Sequence, residues 1–317
     1  MGAVAGPVDR GCLGVAVVEE PARMRWLLLM CSLAGCVRSG GAIEAAGEAS
    51  GLRLDFATQA EGAAILGRSD AFSRGFSTYD LAIRERSSEA DYLTRAETSV
   101  VAWTPRERKR WGAALDDVSK AMEGLQTPSI RVILVKTSAD LEFGLPHTRA
   151  SAVILPKDVV RRRHRAIRLL AHELFHVLSR HDPAFADRVY PLLGFAVIAD
   201  LRMPQHLEPR RISNPDAISH RHALPVESAD LPVYIVPFVV GALDVQASLV
   251  RPLVDNLRLH LMVIDPVTGE LSDGSMYREA YDEQVARNTS YVLHPDEALA
   301  DNFALLILRR LGHQLAL

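Results

Sequence analysis

The stretch RLLAHELFHVLSR, residues 168–180, constrains this chain more than any other. An α-helix turns every 3.6 residues, so positions four apart project from one face, about a turn from each other. His172 and His176 have that spacing, with Glu173 beside the first. Ile167, Leu170, Leu174, Val177 and Leu178 trace an apolar stripe, while Arg165, Arg168, His172, Glu173 and His176 lie to the other side. Such a helix demands a core on one side and a cleft on the other. Its imidazoles can ligate one ion, and HExxH on a helix is a zinc signal in which the glutamate acts as general base toward a metal-activated water.

The rest of the chain supplies that core. With 317 residues, 48% of them hydrophobic, it can bury one large domain or two modest ones. Lys+Arg 36 against Asp+Glu 39 leaves a net charge of -3, which gives no electrostatic reason to expect nucleic acid as a partner. The run RRRHR at 161–165 reads as a solvated helix face.

Periodicity and punctuation divide the chain further. TPRE, 104–107, is a capping box with proline at the first helical position and predicts a helix over 105–124. SIRVILVK (129–136) alternates like a strand, and SAVILP (151–156) is a second strand leading into the HExxH helix. PAFADRVYPLLGFAVIADL suggests short helices, and 206–225, dense in Pro, Asn, His and Arg, predicts a long loop. LPVYIVPFVV and NLRLHLMVID are strand-like. A last helix starts at Pro295 with an acidic first turn and stops at Gly312. Helices with segregated strands predict an α+β domain over 51–317.

The N-terminus carries an export signal. From Met24 the sequence reads MRWLLLMCSLAGC: a charged start, an apolar stretch too short to span a bilayer, then small residues before Cys36. LAGC resembles the lipobox of bacterial lipoproteins, which implies lipidation at Cys36 and a chain anchored in a bacterial cell envelope. Val37 after the cysteine leans toward the outer membrane by the same resemblance. The 23 residues before Met24 fit no signal sequence, and a start at Met24 removes that mismatch. Residues 1–35 then form an upstream extension and signal peptide, and 36–50, small and polar, a flexible tether. Cleavage before Cys36 would remove Cys12 and Cys31, leaving no partner for an intramolecular disulfide.

A catalytic zinc takes three protein ligands and keeps one position open. Asp182 is a local candidate, but Ser179 stands where a sharp turn back to the metal would want glycine. HPDEALADNF, 294–303, offers Glu297 and Asp301 four apart on the last helix. HExxH with this ExxxD resembles the motif pair of the gluzincin metallopeptidases. The resemblance implies a zincin-like α+β fold with a small mixed or antiparallel sheet, an HExxH helix and a C-terminal glutamate-bearing helix. It implies zinc held by His172, His176 and Glu297, with Asp301 accepting a hydrogen bond from His172, and a peptide or protein substrate. It further implies that SAVIL is an edge strand able to pair with an extended peptide. Tyr291 and His222 are the candidate donors to the developing oxyanion. Unlike the compact family pattern, 120 residues (177–296) lie between the two motifs here. The competing expectations are a zinc-containing envelope lipoprotein that binds peptides without cleaving them, and a metal-free structural lipoprotein.

Overall fold

The computed structural model describes residues 52–159, 162–228, 232–242, 256–265 and 268–313. The lipobox-like segment with Cys36 and the tether 36–50 lie outside them. Two sheets and a set of helices make an α+β fold. Among the described residues no helix is long and apolar enough to cross a membrane.

The first sheet joins β1 (Arg53–Phe56), β2 (Arg131–Thr137), β3 (His147–Arg149) and β4 (Ala152–Pro156) in the order β1-β2-β4-β3. The first three of that order are parallel, and β3 runs antiparallel to β4 at the edge. Successive strand residues face opposite sides. Val132, Leu134, Val153 and Leu155 accordingly enter one core, while Val135, Ala152 and Ile154 enter another. SAVIL is therefore not the edge strand: buried on both faces, its unbroken apolar run belongs inside the sheet. The edge belongs to the short polar HTR of β3.

One face of this sheet is covered by α1 (Gln59–Leu66), α2 (Ala71–Arg74) and α4 (Glu89–Thr98), with α3 (Thr78–Ile83) nearby. Each begins at a residue whose side chain accepts a backbone N–H three positions on: Thr58, Asp70, Ser77 and Ser88. Gly62 is required for this packing, since a Cβ there would stand 2.8 Å from Val100 Cγ1 and 2.9 Å from Val135 Cγ1. The other face packs on α5 (Pro105–Met122), α6 (Arg163–His181) and α9 (Pro295–Arg310). The Thr104–Glu107 capping box forms as the sequence predicts.

The long stretch between the motifs contains α7 (Pro183–Val189), α8 (Arg278–Val285) and a second, wholly antiparallel sheet. Its strands follow chain order: β5 (Ala196–Val197), β6 (His222–Val226), β7 (Val233–Gly241), β8 (Leu257–Ile264) and β9 (Leu271–Asp273). The single small sheet expected from sequence is thus a mixed sheet and an antiparallel one, and β6 begins inside the predicted 206–225 loop.

A buried ionic cluster ties the end of α3 to the connection between β2 and β3. Arg84 pairs with Asp80 at 2.9 Å and with Glu142 at 2.9 Å. Burial alone would raise the Glu142 carboxyl, but the Arg84 charge and hydrogen bonds outweigh it and hold Glu142 below the usual carboxylate range. A depressed folded-state pKa contributes stability above the ordinary glutamate value and loses it as pH falls through the depressed one. Denaturant midpoints measured at successively lower pH should therefore fall on the acid side, and Glu142→Gln should flatten that limb.

Candidate metal centre

α6 buries its stripe of Ile167, Leu170, Leu174, Val177 and Leu178 against α5, α9 and the sheet. The opposite face then looks into a cavity of roughly 1200 Å³ whose lining includes His172, Glu173 and Glu297. α9 runs along α6 and supplies Glu297 from its first turn. Pro295 opens that turn, and His294 caps it by accepting the Asp296 N–H on Nδ1 at 3.2 Å. The exposed N–H groups of a helix start favour a carboxylate there.

Three donors converge. His172 Nε2 lies 3.2 Å from Glu297 Oε2, His176 Nε2 3.2 Å from His172 Nε2, and His176 Nε2 3.7 Å from Glu297 Oε2. Ligands ~2.0–2.2 Å from a tetrahedral zinc stand about 3.3–3.6 Å apart. Among the described residues this is a group of the kind that can hold a metal ion. Two imidazole nitrogens at that separation share either an N–H···N hydrogen bond or a cation. Burial pushes His176 down, yet Asp216 and Glu297 outweigh it and hold its pKa above the usual value. Glu297, despite burial, is held well below its own by the two imidazoles. Both shifts favour a proton shared among these three donors, one that a bound cation would displace.

Glu173 is buried beside the triad, and its Oε2 has no hydrogen-bond partner among the described residues. Burial, followed by the charges of Asp216 and Glu297, raises its carboxyl well above the usual range. Tyr291 is half-exposed on the cavity wall, with its ring centroid 5.6 Å from that of His172.

Two sequence candidates, Asp301 and His222, lie elsewhere than expected, and Asp182 stays clear of the metal site, as Ser179 in place of a turn glycine implies. Asp301 accepts from Arg168 Nη2 at 2.6 Å, not from His172, because Arg168, one turn earlier on α6, reaches across to α9. His222 is on β6, where its ring stacks on Tyr190 at 3.6 Å, and it is absent from the cavity lining. His222 is taken up by packing on Tyr190, whereas His220 and His294 reach the cavity. Asp182 caps α7 by accepting the Ala184 N–H at 3.0 Å, which leaves it in the helix junction.

Two residues that sequence reasoning did not single out complete the site. Asn214 Nδ2 donates to Glu297 Oε1 at 2.7 Å, and Asp216 Oδ1 accepts the Thr148 N–H at 2.7 Å. Pairing of an extended chain with β3 at Thr148 consequently requires Asp216 to leave. The sequence signal was present in SNPD, 213–216, a turn-forming stretch in the middle of the long loop. Its placement over the metal centre is a long-range fact. Compared with known proteins, the chain has no significant match to a family model, a curated protein or a solved structure, so the chemistry of the site is read from its own geometry.

Proposed function

We propose that this protein is a zinc-dependent metallopeptidase that hydrolyses peptide bonds. The reading is carried by the convergence of His172, His176 and Glu297 to edges of 3.2, 3.2 and 3.7 Å with Glu173 adjacent. Two neutral imidazoles and one carboxylate are a donor set suited to zinc, and zinc bound there would acidify a water and polarise a carbonyl. Glu173 takes the water's proton and passes it to the leaving amine. Its position next to His172 on α6 and the vacant lone pairs of Oε2 suit that task. Burial raises the Tyr291 phenol as well, so it remains a neutral donor to the oxygen on which charge develops.

The cavity supports a substrate larger than a metabolite. Clefts for small ligands enclose about 300–1,000 Å³, and this one encloses roughly 1200 Å³. Phe72, Phe143, Leu145, Leu201 and Met203 line it, an apolar wall suited to peptide side chains. Export and anchoring through Cys36 in a bacterial cell envelope belong to the same proposal and rest on the LAGC sequence. Mass spectrometry of cell-derived protein should find a lipidated Cys36 at the N-terminus; a chain intact from Met1 would exclude it.

Removal of the metal tests the reading directly. Chelation is expected to abolish hydrolysis of a peptide library, and stoichiometric zinc to restore it. A purified protein with neither zinc nor hydrolysis would end the proposal. Zinc content without hydrolysis would favour a peptide-binding lipoprotein instead.

A further inference from the structure

The two carboxylate oxygens of Glu297 have separate tasks. Oε2 faces the histidine nitrogens, whereas Oε1 accepts a hydrogen bond from Asn214 Nδ2 at 2.7 Å. The Asn214 amide is held at both ends, since Oδ1 accepts the backbone N–H of Asp216 at 2.9 Å. That bond decides which end of the amide turns toward Glu297: only the NH2 remains.

The turn carrying Asn214 is tied down on every side. Ser213 donates to Asp80 through its backbone N at 2.7 Å and its hydroxyl at 2.9 Å, and its carbonyl accepts from Arg84 Nη2 at 3.0 Å. The Pro215 carbonyl accepts from Arg180 Nη2 at 2.9 Å, and Arg180 lies one turn beyond His176 on α6. Asp216 is held by Thr148 of β3. A side chain fixed so thoroughly has little freedom left to lose when it orients another group.

We propose that Asn214 is a positioning residue for Glu297: by taking Oε1, it leaves Oε2 as the single oxygen presented to the metal. A carboxylate free to bind through both oxygens would fill the coordination position that a hydrolytic site keeps open. The segment between the two motifs therefore completes the metal centre as well as walling the cleft. This inference rests on the zinc reading above.

Zinc affinity, measured by competition with a chromophoric chelator, tests it without reference to activity. Asn214→Ala and Asn214→Leu are expected to bind zinc about 10–100-fold more weakly than the wild type, the usual cost of losing a partner behind a ligand. The visible spectrum of the Co2+-loaded variants should lose intensity as Glu297 turns to two-oxygen binding and the coordination number rises. A role confined to loop stability would lower the melting temperature of the metal-free protein and leave both readouts unchanged, which would overturn the proposal. If the truncated variants do not fold, Asn214→Asp keeps the Oδ1 acceptor and the turn but loses the donor. A Co2+ spectrum identical to wild type in that variant would equally overturn it. Failure of the wild type to take up either ion would remove the zinc reading and this inference together; equal tight binding by wild type and variants would remove the inference alone.

Discussion

Glu173→Gln is expected to lower kcat/KM by ~10²–10⁴-fold while leaving zinc content unchanged, the usual contribution of a positioned general base. Glutamine keeps the shape of the side chain and loses only the proton-accepting carboxylate. Unfolding would not account for such a loss. Glu173 is a buried carboxyl with an unpartnered oxygen, and the charges of Asp216 and Glu297 disfavour its ionisation. A neutral amide relieves that repulsion, so the melting temperature of the metal-free variant should match or exceed that of the wild type. Parallel assays of bound zinc and peptide turnover decide the matter. Joint loss of metal and turnover would make Glu173 structural, and undiminished turnover would remove it from the chemistry.

Arg84→Met is expected to cost ~3–5 kcal/mol of folding stability, the range for removing one partner of a buried ion pair. The Arg84, Asp80 and Glu142 side chains are 5%, 0% and 5% exposed, so the two carboxylates left behind would stay buried without their shared counter-charge. The guanidinium also lies 4.7 Å from the centroid of the Phe76 ring and bonds the Ser213 carbonyl. Glu142 and Phe143 adopt left-handed backbone at φ 44° and 59°, a conformation that costs non-glycine residues free energy and that the Arg84–Glu142 bonds help to hold. For a domain of this size, a drop of roughly 6–20 °C in melting temperature should follow. Asp55→Asn is the control: the Arg131–Asp55 pair is 65% and 51% exposed, and its loss should leave the melting temperature close to that of the wild type. Similar melting temperatures for the two variants would mean that the Arg84 cluster contributes no more than a surface pair.

The elements legible in the sequence are those with strong local signals. The Thr104 capping box places α5, the 3.6-residue stripe places α6, and Pro295 with its acidic turn places α9. The helices α1 to α4 carry weaker signals, although Thr58, Asp70, Ser77 and Ser88 each cap one. Those helices are short, and their amphipathic faces are defined by the sheet they cover. SAVIL was recognisable as a strand, but its place inside the sheet depends on which strands arrive on either side.

The metal site divides along the same line. Spacing along one helix dictates that His172 and His176 share a face, because the 3.6-residue repeat is a local property of the backbone. That Glu297 joins them depends on α9 packing along α6, which the motif pairing anticipated and the interatomic distances display. The partners of the surrounding side chains depended on tertiary structure alone. Asp301 takes Arg168, His222 takes Tyr190, and Asn214 reaches Glu297 across 83 positions of sequence. Hydrogen bonds between side chains far apart in the chain follow from how helices and sheets close on one another. Periodicity indicates which face a residue occupies, whereas only the packed fold decides what stands opposite.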